Sequence, residues 1–111
     1  MTPVILESPY AGDVETNVKY AKACVLDCLL RGEAAFASHL FYTQVLDDNI
    51  PEQRQQGIEA GLSIARLFSY TVVYTDLGIS KGMEYGIEAA QKAGRHVSYR
   101  RISGWGTSNA K

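Results

Sequence analysis

The chain has 111 residues, 46% hydrophobic and 21% charged, enough for one folded domain and too few for two independent cores. Eleven basic against twelve acidic side chains give a formal charge of −1, so there is no basic footprint for gripping a nucleic-acid polymer. No run approaches the roughly 18 apolar residues of a membrane span, and MTPVILESPY lacks the features of a signal peptide, so a cytoplasmic protein without membrane contact is expected.

Pro3 to Glu7 holds the continuous apolar run Val4-Ile5-Leu6, the pattern of a strand covered on both faces. It ends in the turn-rich segment Ser8-Pro9-Tyr10-Ala11-Gly12-Asp13, where Asp13 can cap a helix running to about Leu30. The spacing of Val14, Val18, Ala21, Val25, Cys28 and Leu29 assigns that helix its buried stripe, with Cys24 near the edge. Cys24 and Cys28 are four residues apart and lack the further ligands of a zinc site, so reduced thiols are expected and no metal or cofactor is called for.

Ala34 to Ala37 reads as a short second strand, followed by a loop from Ser38 to Gln44 and the acidic pair Asp47-Asp48. Pro51 opens a second helix, with Ile58, Gly61, Leu62, Ala65 and Phe68 as its buried stripe and an end near Phe68. Thr71 to Thr75, β-branched and aromatic, is the strongest strand signal. A third helix spans about Lys81 to Ala93, Gly94 stops it, and His96 to Arg100 forms the fourth strand. Residues 1–102 thus form the domain, and 103–111 form a polar, glycine-rich tail that frays unless Trp105 docks.

The order β-α-β-α-β-α-β predicts a three-layer, doubly wound α/β domain, flavodoxin- or Rossmann-like, with a mainly parallel four-stranded sheet. Ligands of such sheets bind outside the carboxyl ends of the strands. Three segments are expected to converge there: Ser8 to Asp13, Ser38 to Gln44, and Asp76 to Glu84.

The first segment, SPYAGD, leads into a helix N-terminus, where backbone N–H groups favour an anion, although taken alone it reads first as a tight strand-to-helix turn. Ser8, Pro9, Tyr10 and Gly12 are its candidate ligand contacts, Tyr10 by stacking on a base or by covering the sheet edge. His39, beside Ser38, either serves a phosphate or ribose or is structural. In Asp76-Leu77-Gly78-Ile79-Ser80-Lys81-Gly82-Met83-Glu84 the glycines permit close backbone approach, which makes Asp76, Ser80, Gly82 and Met83 further candidates. Glu84 and Glu88 share a helical face as a possible chemical carboxylate or as a solvated pair.

The stretch from Val72-Val73-Tyr74-Thr75-Asp76 through Gly82-Met83-Glu84-Tyr85-Gly86 to Gly94-Arg95-His96-Val97 resembles the last β-α-β unit of the nucleoside 2-deoxyribosyltransferase superfamily. VILESPYAG is compatible with that family's start, and SHLFYTQVLDD and ISKGMEYGIEAA look like its small, often phage-encoded relatives. The resemblance implies a nucleoside or nucleotide ligand and a glutamate nucleophile at Glu84, with Glu88 one turn later as the competitor. The carboxylate would attack the anomeric carbon as the base leaves. Where the family commonly has an aspartate ahead of this strand, the chain reads Leu67-Phe68-Ser69-Tyr70.

Two functions follow as expectations. One is cleavage or transfer of an N-glycosidic bond; the other is a non-catalytic binder that sequesters a nucleotide or an ADP-ribose-like signal, as a phage anti-defence protein would. A homo-oligomer is expected in either case.

Overall fold

The computed structural model describes residues 1–102 together with Gly104 and Trp105. In chain order it holds β1 (Thr2–Glu7), α1 (Val14–Leu30), β2 (Glu33–Phe36), α2 (Ser38–Phe41), a 3-10 turn (Tyr42–Gln44), α3 (Pro51–Ala65), β3 (Tyr70–Tyr74), α4 (Lys81–Lys92) and β4 (His96–Arg100). The four strands make an all-parallel sheet in the order β2-β1-β3-β4. That is a doubly wound order, and its direction of progress reverses between β1 and β3. Of the expected tail, all but Gly104 and Trp105 lies outside the described residues.

Alternation along the strands separates two layers of core. Val4, Leu6, Val72 and Tyr74 meet Tyr20, Cys24 and Cys28 of α1 in one cluster. Ile5, Glu7, Thr71 and Val73 take the alternate positions, and Ile5 and Glu7 meet α3 and α4 on the opposite side. β1 and β3, central in the sheet, are the strands with no exposed residue through Val4–Leu6 and Thr71–Tyr74, as their apolar runs require.

The buried stripe of α1 is rotated from the expected one. Asn17, Tyr20, Ala21, Cys24 and Cys28 are buried, whereas Val14 and Leu29 are exposed. Tyr20 explains the rotation: its ring lies 5.0 Å from that of Trp105. Its hydroxyl donates to Asp76 Oδ1 at 2.6 Å. A tyrosine whose polar end has a partner is as good a core residue as a leucine.

The segment from Ser38 to Gln44, expected as a loop, forms α2 and the 3-10 turn. Its aromatic residues cluster, with Phe36 at 6.3 Å from Phe41 and 6.4 Å from Tyr42, and that packing holds turns whose propensity is weak. α3 ends at Ala65 rather than Phe68, because Leu67 N–H and Phe68 N–H close tight turns onto Ile64 and Ala65 carbonyls. Glu33, outside the expected second strand, is its first residue and is buried.

A polar bridge spans the α1 face. Arg100 of β4 donates to both carboxylate oxygens of Glu33, each at 2.6 Å, and Tyr70 donates to Glu33 as well. Tyr74 extends it by donating to Asp27 of α1 at 2.6 Å. Arg100 and its hydrogen bonds hold the Glu33 carboxyl down at about 2. Among the described residues no helix is long and apolar enough to cross a membrane.

Candidate functional site

A cavity of about 190 Å³ opens at the carboxyl end of β1, at the β1/β3 switch point. The first loop, α2 with its 3-10 turn, the start of α3 and the start of α4 all contribute to it. The start of the chain and the GMEYG region therefore share one rim. A smaller cavity of about 70 Å³ lies behind it, between the sheet and helices α3 and α4, and Glu7, Ser38, Ile58 and Gly82 line both.

Glu7, the last residue of β1, was not singled out from the sequence; it is half-buried and lines both cavities. Burial pushes its carboxyl up to about 8, against the weaker opposing pull of Arg95, so near neutral pH it carries a proton. No hydrogen bond from the described residues contributes to that shift. Arg95 is engaged elsewhere, donating from Nε to Thr71 Oγ1 at 3.2 Å.

Gly86 makes room for this carboxyl. A Cβ built at Gly86 would lie 1.9 Å from Glu7 Oε2 and 2.4 Å from Cδ, closer than atoms can approach. The second glycine of GMEYG thus admits a glutamate from the strand beneath. Gly86→Ala is expected to cost about 1–3 kcal/mol of overpacking, offset in part by the better helix propensity of alanine, about 1 kcal/mol. Unfolding of Gly86→Ala, Glu7→Ala and the double variant measures it: the double variant should recover at least about 1 kcal/mol, whereas strict additivity would refute the contact.

Ser8 and His39 form the second polar element, with Ser8 Oγ 2.7 Å from His39 Nε2. Burial lowers the His39 pKa to about 4, so the ring is neutral and exchanges one hydrogen bond with Ser8 in either direction. Asn17 of α1 fixes the first loop by donating from Nδ2 to the carbonyls of Tyr10 at 2.9 Å and Ala11 at 3.1 Å. Ser80 caps α4, accepting from Met83 N–H at 3.3 Å, which aims the N-terminus of that helix at the cavity. At the mouth, Arg54 faces Asp48 at 4.0 Å.

Of the residues singled out from the sequence, Ser8, Tyr10, Ser38, His39, Ser80, Gly82 and Met83 line the cavity. Pro9, Gly12, Asp76, Glu84 and Glu88 do not. Gly12 has φ 99°, the left-handed conformation that turns the chain into α1. Asp76 lies toward α1, where its carboxylate accepts from Tyr20 and from Ile102 N–H, the latter at 3.0 and 3.2 Å. Glu84 and Glu88 are exposed, and Glu88 pairs with Lys92 at 3.1 Å. α4 presents Met83 and Gly86 inward, so glutamates one position beyond Met83 and two beyond Gly86 point out. Among the described residues no group of three or more His, Cys, Asp or Glu side chains is placed to hold a metal ion.

Glu7 and Asn17 carried faint signals: a charged residue closing an apolar strand, and a polar residue one turn before Tyr20 and Ala21 on the buried face of a helix.

Sheet order and cavity together define a flavodoxin-like α/β domain with a small cleft at its switch point. The chain belongs to the family described as a domain of unknown function (DUF7768), whose model matches residues 2–100. No curated protein and no solved structure matches it.

Proposed function

We propose that this domain binds a nucleoside or nucleotide in the β1/β3 cleft and cleaves or transfers its N-glycosidic bond, with Glu7 as the acid. The observation that carries the reading is the position of the Glu7 carboxyl, which lines the cavity at the switch point without an ion-pair partner among the described residues; its raised pKa is in keeping with that place. A buried carboxylic acid that keeps its proton near pH 7 is the group needed to activate a leaving base. Tyr10, Tyr42 and Met83 offer apolar surface for a flat ring, while Arg54 and the α4 N-terminus suit a phosphate at the mouth.

The step balances as follows. The Glu7 proton passes to a ring nitrogen of the base, the bond from the anomeric carbon to the base breaks, and its electron pair leaves with the base. Water adds to the sugar cation and returns a proton to Glu7; in transfer, a second base takes the place of water. Glu84 and Glu88, exposed outside the cavity, have no part in this scheme. Asp48, a carboxylate of the lining, stands to stabilise the sugar cation. A cavity of 190 Å³ lies below the roughly 300–1,000 Å³ of drug-sized sites, which favours one nucleoside unit over a dinucleotide.

Release of free base from deoxynucleosides, ribonucleosides, their monophosphates and NAD, followed by chromatography, tests the reading. Release is expected from the nucleosides or monophosphates, and Glu7→Gln should lower it about 100- to 10,000-fold. Absence of release from all of them would defeat the catalytic reading. Thermal stabilisation by a nucleotide without turnover would instead support the non-catalytic binder.

A further inference from the structure

We infer that Ser8 and His39 form a nucleophile and base pair that hydrolyses esters of short, apolar carboxylic acids in the front cavity. The glycosidic reading above gives neither residue a chemical part, and the two stand or fall separately.

The pair rests on geometry. Ser8 Oγ lies 2.7 Å from His39 Nε2, within reach of direct proton transfer, and both residues line the cavity of about 190 Å³. Ser8 follows the last residue of β1, and His39 stands 31 residues later in the first turn of α2, so two separate elements bring them together. Each is fixed from its own side. β1 is a central strand of the sheet, and Thr43 Oγ1 donates to the His39 carbonyl at 2.6 Å. Ser8 is 4% exposed, so it is sheltered from bulk water while bordering the cavity. His39 is neutral, as a base must be, and in the tautomer that leaves Nε2 bare it accepts the Ser8 proton. Among the described residues no carboxylate holds its other ring nitrogen, which makes the pair a dyad and favours esters with good leaving groups.

Ser8 Oγ attacks the carbonyl carbon while its proton passes to Nε2, and the C=O pair moves onto the oxygen. As that pair re-forms the carbonyl, the bond to the alcohol oxygen breaks and the alcohol leaves with the proton from His39. Water then cleaves the acyl-serine by the same steps, giving the carboxylic acid and restoring Ser8. The transient oxyanion needs donors. Pro9, next to the nucleophile, has no N–H to offer. The N–H groups of Tyr10 and Ala11 in the first loop, and of Lys81 and Gly82 in the first turn of α4, donate to nothing among the described residues, and all four residues line this cavity. Leu46, Ile58 and Met83 supply the apolar part of the lining, and the volume admits only a short acyl chain.

The test is labelling of the native protein with diisopropyl fluorophosphate, located by peptide mass spectrometry, together with release of p-nitrophenol from p-nitrophenyl acetate and butyrate. We expect an adduct on Ser8 and turnover of both esters, with neither seen in Ser8→Ala or in urea-unfolded protein. His39→Gln should slow the labelling roughly 100-fold or more. No adduct, an adduct only at another residue such as Ser38 or Ser80, or labelling of Ser8 without turnover of either ester would overturn the inference. An undiminished labelling rate in folded His39→Gln would do the same. Where a variant does not fold, the wild-type adduct and turnover decide the case by themselves.

Discussion

Arg100→Met is expected to destabilise the fold by about 3–5 kcal/mol, because it leaves the Glu33 carboxylate buried without its cation. The side chains of Glu33 and Arg100 keep only 7% and 13% of their exposure, and both guanidinium contacts measure 2.6 Å. A domain of this size has roughly 5–15 kcal/mol of stability in total, so this single change removes a large share of it. The pair itself need not be net stabilising, since desolvating two charges costs about as much as their attraction returns. Arg100→Met combined with Glu33→Leu should therefore recover most of the loss. Urea unfolding of the two single variants and the double variant measures this. A loss under about 1 kcal/mol for Arg100→Met, or a double variant no better than the worse single, would show that the bridge is dispensable.

This bridge also marks what could be read from the chain alone. Strand positions and the parallel, doubly wound order followed from Val4-Ile5-Leu6 and Thr71 to Thr75, because the period of a pattern is a local property. Glu33 and Arg100 are 67 residues apart, and nothing near either announces the other. Arg100 read only as the last residue of the fourth strand, and Glu33 lay just ahead of the expected second one. The same limit governs the cleft. Ser8, His39, Ser80 and Met83 could be placed in it because loops at strand ends converge by topology. Which glutamate faces inward depended on the rotation of α4, and there the exposed Glu84 and Glu88 had the motif while Glu7 had the position. Gly86 was legible as part of GMEYG but not as the space for a carboxyl, since its neighbour comes from a strand 79 residues earlier in the chain. The phase of α1 was misjudged because the tyrosine at position 20 was not counted as a core residue, and only its pairing with Asp76 makes it one.

Between pH 6.5 and 8 the protein is expected to lose stability as pH rises, at up to about 1.4 kcal/mol per pH unit and roughly 2 kcal/mol over that window. Glu7 is the cause. Its carboxyl ionises near its ordinary value of 4.5 when unfolded and near 8 when folded, so its stabilising contribution is complete below 4.5 and is lost as pH climbs through 8. His39 acts with the opposite sign. Burial lowers its folded value from 6.5 to about 4, so its contribution is complete above 6.5 and is lost as pH falls through 4. Between 4.5 and 6.5 the two slopes oppose each other, which predicts a plateau there and a decline on its alkaline side. Glu33, held near 2, gives up its contribution only at more acid pH. Glu7→Gln should flatten the alkaline decline, and His39→Gln should extend that decline down toward pH 4.5 by removing the opposing term. Chemical unfolding across pH 4.5 to 8.5 separates these cases. If wild type and Glu7→Gln follow parallel curves above pH 6.5, the carboxyl of Glu7 is ionised in the folded protein and cannot serve as the acid of the cleft.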